Sequence, residues 1–159
     1  MHDLMVSDVM SRDVHHVSPR LGVLDLDGEL ASRRISGAPV LDRAGRVLGI
    51  VSRSDLDGAL ATERSKAAAV AGYYVDPEGV DAPGEALDPT SEALDRLRAL
   101  TVQDIMTKEV ISVPPSASIV QAARLMRSRR IHRLLVVEDG GLVGLLSSLD
   151  IVGAVAELE

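Results

Sequence analysis

The chain contains an internal repeat, and this repeat restricts its possible folds more than any other feature of the sequence. A shift of 96 residues aligns Val6–Met10 with Val102–Met106, and further along Ser32–Ile35 with Ser128–Ile131. One deletion then lowers the shift to 95. Agreement over such lengths indicates that one structural unit is built twice.

The repeat divides the chain into three parts. We expect residues 1–60 to form the first repeat, residues 61–100 to hold a connecting helix and an acidic linker containing Pro and Gly, and residues 101–159 to form the second repeat. Each repeat alone is small for a stable hydrophobic core. The two copies are therefore expected to pack through their sheets around a pseudo-twofold axis.

Both repeats have the same predicted order of elements: strand, helix, strand, strand, helix. Opening strands over Val14–Val17 and Val110–Val113 end near prolines, which cannot donate to a continuing ladder. Short apolar runs then flank Asp42–Gly45 and Asp139–Gly141, a pattern typical of β-hairpins. The predicted fold class is α+β (α/β-like), with the order β-α-β-β-α in each repeat.

The predicted helices follow the spacing of apolar residues and the positions of capping hydroxyls. In the second repeat, either Ser116 or Ser118 can cap a helix whose apolar face has helical spacing. In the first repeat Asp27 replaces Ala123, a position predicted to face inward, which predicts a displaced helix. Between the repeats we expect a helix over residues 59–75, a loop over residues 76–89 and a short helix over residues 91–100.

The composition excludes several classes of function. Asp and Glu outnumber Lys and Arg, 24 to 17, so the net charge of −7 argues against a nucleic-acid partner. The chain has no Cys, its four His lack ligand spacing and no catalytic motif is present, so neither a metal site nor an enzyme is expected. No segment is typical of a signal peptide or a membrane span, so we expect a cytoplasmic protein without a membrane partner.

The two closing helices begin with the same motif. Gly49–Asp55 and Gly144–Asp150 each run from a glycine through an apolar strand end to a hydroxyl and then a carboxylate. A helix start favours phosphate, and a carboxylate suits the two hydroxyls of a ribose. The same Ser-x-x-Asp pattern also predicts a capping box, in which the side chains satisfy the helix's own N–H groups. The residues themselves leave both interpretations open.

These motifs, the Asp-Val-Met and Asp-Ile-Met openings and the long repeat together resemble a pair of cystathionine β-synthase (CBS) domains, known as a Bateman module. The resemblance implies a regulatory module that binds AMP, ADP, ATP, S-adenosylmethionine or another adenosyl ligand between its repeats and requires no cofactor. It implies that Asp55 and Asp150 hold ribose hydroxyls and that backbone near His15 and Ile111 reads the adenine edge. It also implies ribose or phosphate contacts from three hydroxyls: Ser52, Ser54 and Ser147.

The segment Ile131–Val136 resembles the His-Arg segment that binds phosphates in the gamma subunit of AMP-activated kinase. The resemblance implies phosphate contacts from His132 and Arg133, one a donor whose charge depends on pH and the other a fixed planar fork. The first repeat has Ser36 and Gly37 at these positions. We therefore expect one competent, phosphate-preferring site.

Two functions are compatible with the sequence. One is a ligand sensor in which an adenine nucleotide favours one arrangement of the repeats. The alternative is a structural module for homodimerisation or partner interaction, with no physiological nucleotide, in which the Ser-x-x-Asp pairs only cap helices. A homodimer is expected in either case, with an unidentified target protein as a further partner.

Overall fold

The structure is a computed structural model that describes residues 3–62 and 89–158. Its elements are α1 (Val6–Val9), α2 (Val23–Arg33), β1 (Gly37–Leu41), β2 (Val47–Ser52), α3 (residues 53–62), α4 (Pro89–Ala99), α5 (Val102–Ile105), β3 (Ser112–Val113), α6 (Ile119–Arg129), β4 (Arg133–Glu138), β5 (Gly141–Ser147) and α7 (Ser148–Ala156). The predicted α+β class is confirmed. Most of the predicted helix over 59–75 and loop over 76–89 lies outside the described residues. No described helix is long and apolar enough to cross a membrane.

The strands form two small sheets. One contains β1 and β2, and the other has the order β3-β4-β5. Strand β3 runs parallel to β4, and β5 runs antiparallel to it, with Arg133 paired to Ser147 at one end of the ladder. Both predicted hairpins are present, and β5 leads directly into α7.

The predicted opening strands are shorter than expected. Of the predicted strand Val110–Val113, only β3 forms. The predicted strand Val14–Val17 is wrong except at Val17, which forms an isolated parallel bridge with Val40. Val17 N donates to the Pro39 carbonyl at 3.0 Å, and Leu41 N donates back to the Val17 carbonyl at 3.1 Å. Extending the ladder toward His15 would require a donor at Pro39, and proline has no N–H. The ladder therefore stops after one residue.

Helices α2 and α6 bury the same face in the two repeats, as the repeat predicts. Their buried residues align: Val23, Leu26 and Leu30 with Ile119, Ala122 and Met126. The expected disturbance at Asp27 is wrong, because Asp27 is exposed and its carboxylate forms an ion pair with Arg53 at 3.3 Å. An exposed carboxylate has no desolvation cost that would displace the helix.

Ser118 is the residue that caps α6. Gln121 N donates to Ser118 Oγ at 3.1 Å, and Ser118 N donates to Gln121 Oε1 at 3.0 Å. This reciprocal pair satisfies two N–H groups at the helix start. The choice between Ser116 and Ser118, left open by the sequence, is thereby decided.

The described residues fall into two compact units that interleave segments of both repeats. Unit 1 is drawn from Met1–Ser18, Pro39–Ile50 and Lys108–Glu159, and unit 2 from Pro19–Ala38 and Val51–Thr107. The predicted domain boundaries follow the sequence repeat rather than these units, and they stay a prediction.

Backbone hydrogen bonds hold each unit together across long stretches of sequence. In unit 1, Val6 N donates to the Ala117 carbonyl at 2.8 Å, and Ser11 exchanges two bonds of 2.9 Å with Leu145. In unit 2, Val102 N donates to the Leu21 carbonyl at 2.8 Å. The short helices α1 and α5 thus pack beside elements that are distant in sequence. The core of unit 1 consists of Val6, Met10, Val113, Ala122, Met126, Leu134, Val136 and Leu146.

Candidate functional site

In unit 1 the repeated motif joins β5 to α7 through reciprocal hydrogen bonds. Asp150 Oδ2 accepts from Ser147 N at 2.7 Å, and Ser147 Oγ accepts from Asp150 N at 3.1 Å. Both residues are half-buried. Within the described residues, Asp150 Oδ1 has no hydrogen-bond partner. The capping box is therefore present, and it leaves one carboxylate oxygen available to another donor.

Arg133 lies at the same edge of the sheet as this cap. It pairs directly with Ser147 in the antiparallel ladder. Directly opposed residues of an antiparallel pair share a face, with Cβ atoms about 4.5–5.5 Å apart. Arg133 is exposed and has no ion-pair partner in the described part of the chain. The fold thus brings a free guanidinium, a hydroxyl and a carboxylate to one edge of unit 1.

His132, the other residue expected to bind phosphate, is exposed and directly precedes β4. It lines a depression of about 410 Å³ together with Arg127, Arg130 and Ser148, and Arg133 is not among the lining residues. The His132 carbonyl accepts from Ser148 N at 2.9 Å, which fixes the start of α7 against β4. His132 is thus placed beside two arginines of α6 and its end, whereas Arg133 is paired with Ser147.

The sequence did not single out Arg127 and Arg130, which lie beside His132. Arg130 ends α6 in the left-handed conformation, with φ of 55°. Glycine is the usual residue at such a helix end, because other side chains are strained there. Arg34 ends α2 in the same conformation, with φ of 54°, so the sequence offers no signal that marks Arg130.

Ile111 lies directly before β3, and its half-buried side chain packs against the core of unit 1. Because the side chain of Ile111 packs against the core, its backbone is the part that is available to bind a ligand. His15, its counterpart in the first repeat, is also half-buried and belongs to the same unit.

In unit 2 the equivalent carboxylate has both oxygens occupied. Asp55 Oδ2 accepts from Ser52 N at 2.9 Å and from Ser52 Oγ at 3.1 Å. Its Oδ1 accepts from Thr107 Oγ1 at 3.3 Å. Ser54 is exposed and makes no side-chain hydrogen bond within the described residues. Thr107 could not be found from the sequence, because it is 52 residues away from Asp55.

Unit 2 also has no space for a cation where unit 1 has Arg133. The aligned residue is Gly37, and a Cβ added there would lie 2.8 Å from the Val51 carbonyl oxygen and 3.3 Å from Ser52 Cα. The backbone would have to move to admit any side chain. The two repeats therefore differ in structure at this point. Position 37 has no room for a cationic side chain, whereas position 133 carries one.

Comparison with known proteins gives consistent matches across both repeats. The family model described as CBS domain matches residues 6–62 and 102–157. The chain is 29% identical over 155 residues to the uncharacterized protein MJ1426 of Methanocaldococcus jannaschii, covering 95% of this chain and 90% of that protein. It is 28% identical over 157 residues to the chloroplastic CBS domain-containing protein CBSX2 of Arabidopsis thaliana, covering 97% of this chain and 64% of that protein. The crystal structure of CBSX2 in complex with AMP matches with a TM-score of 0.70 and 25% identity, over 98% of both chains.

Proposed function

Because this chain belongs to the CBS domain family, we propose that it is a non-catalytic regulatory module that binds an adenine nucleotide, with AMP as the favoured ligand. The observation that carries the proposal is the pairing of Arg133 with Ser147, beside an Asp150 carboxylate with one oxygen free of partners in the described residues. The similar protein CBSX2 was crystallised with AMP, which supports the choice of ligand.

The chemistry of the unit 1 edge matches the parts of a nucleotide. The Arg133 guanidinium offers a planar pair of donors to a phosphate. Asp150 Oδ1 accepts from a ribose hydroxyl, and Ser147 Oγ serves as a second polar contact. The Ile111 backbone is proposed to read the adenine edge. A phosphate contact from His132 stays a prediction.

We propose that the Ser52, Ser54 and Asp55 set of unit 2 is the weaker site. A ribose hydroxyl would have to displace the Thr107 hydroxyl to reach Asp55 Oδ1. No cation can occupy position 37 to meet a phosphate. One nucleotide per chain is therefore expected at concentrations that fill unit 1.

The proposal also includes the expectations about alternative ligands, dimerisation, a target protein and the location of the protein. ADP, ATP and S-adenosylmethionine are tested as alternatives to AMP. Homodimerisation is proposed on three exposed apolar residues of α7: Leu149, Val152 and Val155. An unidentified target protein and a cytoplasmic location stay predictions.

Isothermal titration calorimetry with AMP tests the proposal. Asp150→Asn keeps an oxygen for the Ser147 cap but removes the charge, so AMP affinity is expected to fall by about tenfold or more, as for loss of a charge-assisted hydrogen bond. Arg133→Met is expected to have a similar effect, because it keeps the stem and removes the guanidinium. The matched control is Asp55→Asn, which makes the same change in the same cap and should leave AMP affinity unchanged.

Two results would count against the proposal in different ways. An equal loss of affinity in Asp55→Asn and Asp150→Asn would mean that unit 1 is not the preferred site. No heat of binding with any adenosyl ligand at millimolar concentration, and no rise in melting temperature, would reject nucleotide binding. The structural dimerisation module would then be the favoured function.

A further inference from the structure

The chain contains three Asp-Gly pairs, and every residue in them is exposed. An aspartate before glycine is chemically reactive, because glycine has no side chain to hinder attack of its backbone nitrogen on the aspartate carboxyl group. Sequence and exposure therefore make the three pairs equivalent, and only their backbone conformations distinguish them. The pairs are Asp27-Gly28 in α2, Asp57-Gly58 in α3 and Asp139-Gly140 between β4 and β5.

Helices hold the glycine nitrogens of the first two pairs. Gly28 and Gly58 lie beyond the first turns of α2 and α3, where each N–H donates to the carbonyl four residues earlier. Such a nitrogen is directed along the helix axis, whereas the aspartate side chain points away from that axis. The Asp27 carboxylate is also held by Arg53, at 3.3 Å. Both helical pairs are therefore protected from this attack.

The third pair forms the tip of the β4–β5 hairpin. Asp139 and Gly140 both have positive φ, 53° and 79°, which is typical of the two central residues of a type I′ turn. Glu138 pairs with Gly141 across this turn, so the hydrogen bond that closes the turn does not use the Gly140 nitrogen. Gly140 N donates no hydrogen bond in the part of the chain that the structure describes. The attacking nitrogen is therefore free.

The Asp139 carboxylate is free as well, since it makes no hydrogen bond or ion pair with any described residue. The hairpin of the first repeat also turns at an aspartate, Asp42. There the carboxylate accepts from Ala44 N and from Arg46 N, both at 2.9 Å. The second repeat thus has an unrestrained carboxylate beside a free nitrogen, where the first repeat has a carboxylate held by its own turn.

We infer that Asp139 is a site of spontaneous conversion to isoaspartate, a modification that needs no reactant other than water. Gly140 N attacks Asp139 Cγ and forms an N–Cγ bond, and one carboxylate oxygen leaves as water with the amide proton and a proton from solvent. Water then opens the cyclic imide at either carbonyl. Attack at Cγ restores aspartate, whereas attack at the main-chain carbon breaks the original peptide bond and leaves Gly140 joined through Cγ. No electrons are gained or lost, and the final mass is unchanged.

The conversion has a structural effect because the tip of this hairpin contacts the hairpin of the first repeat. Val47 N donates to the Gly140 carbonyl at 3.2 Å, and Leu142 N donates to the Gly45 carbonyl at 3.3 Å. Isoaspartate adds a methylene group to the main chain between these contacts and the rest of β4. Turn length and register are coupled in a hairpin, so the longer turn cannot keep the original pairing. We expect the modification to break both contacts.

Ageing the intact chain at neutral pH in water enriched in heavy oxygen tests the site. Every passage through the imide incorporates solvent oxygen, and mass spectrometry with electron-transfer fragmentation locates both the label and the isoaspartate. Asp139 should be labelled about tenfold or more faster than Asp27 or Asp57, because the helical pairs must first open locally. In the urea-unfolded chain the three rates should agree within about threefold, since only the neighbouring sequence then differs.

Hydrogen exchange tests the structural effect. The amides of Val47 and Leu142 are expected to exchange about tenfold or more faster in the isoaspartate fraction than in the unmodified fraction. The amide of Val6, which donates to the Ala117 carbonyl at 2.8 Å in the same unit, should be unchanged. The control is Asp139→Glu, which keeps the charge but has to close a larger ring. Aged for the same time, it should show neither label at this position nor faster exchange, and circular dichroism verifies that it is folded.

Equal labelling of the three pairs in the folded chain would overturn the inference, as would labelling of Asp139 only after urea is added. Isoaspartate at Asp139 with unchanged exchange at Val47 and Leu142 would keep the modification site and overturn its effect on the hairpin tips. All of these measurements are made without nucleotide, so their outcome is independent of the proposed binding of AMP.

Discussion

Replacing Gly144 by alanine should weaken the packing of Met10 and Ser11 against the rest of unit 1. Gly144 is buried in β5, and a Cβ there would lie 2.6 Å from Met10 Sδ and 2.9 Å from the Ser11 carbonyl oxygen. The methionine side chain can rotate away, but the backbone oxygen cannot without moving Ser11. Ser11 exchanges both of its backbone hydrogen bonds with Leu145, each at 2.9 Å.

The geometry sets the size of the effect. Two weakened backbone hydrogen bonds contribute about 0.5–1.5 kcal/mol each, and added volume in a packed site costs about 1–3 kcal/mol. We expect Gly144→Ala to lower the free energy of unfolding by about 2–6 kcal/mol in total. For a chain of this length, that corresponds to a fall in melting temperature of about 4–24 °C.

Urea unfolding followed by far-ultraviolet circular dichroism is the assay, because the chain has no Trp and only two Tyr. Protein concentration is held constant, since dimerisation would make stability depend on it. The control is Gly141→Ala in the same strand, where the new Cβ would meet Glu138 O at an ordinary 3.5 Å. Its effect should stay within about 1 kcal/mol. Equal unfolding midpoints for the two variants would refute the close-approach argument.

Two further predictions concern helix ends. Ser118→Ala removes the acceptor for Gln121 N and should destabilise the chain by about 1 kcal/mol in urea unfolding, whereas Ser118→Asp, which keeps an acceptor, should not. Arg34 ends α2 with φ of 54°, so Arg34→Gly should raise the urea midpoint by relieving about 0.5–1 kcal/mol of strain. Arg33→Gly, one residue earlier inside the helix, should lower the midpoint instead.

Most of the secondary structure could be predicted because it depends on local pattern. The hairpins around Asp42–Gly45 and Asp139–Gly141 are where the turn residues place them, and the apolar spacing from Ile119 to Met126 predicted α6. The short helices α1 and α5 were missed, because four residues are too few to show helical periodicity. Their signal was a carboxylate three residues after the capping residue, since Asp8 accepts from Met5 N and Asp104 accepts from Thr101 N.

The candidate site was predictable in part. The caps at Ser52 and Ser147 follow from the Ser-x-x-Asp spacing. The pairing of Arg133 with Ser147 does not follow from the turn, because it depends on a register shift between Val136 and Val137. The Thr107 bond to Asp55 and the absence of space at Gly37 depend on contacts between distant segments, which spacing along the chain does not encode.

The interleaving of the two compact units has a consequence for how the chain folds. Ser11 pairs with Leu145, so this bridge cannot form until residue 145 has been synthesised. Closing such a long loop costs entropy before any contact compensates for it, and folds dominated by distant contacts form slowly. During translation Ser11 is therefore without its partner strand for 134 residues, and unit 1 is completed only when β5 is available.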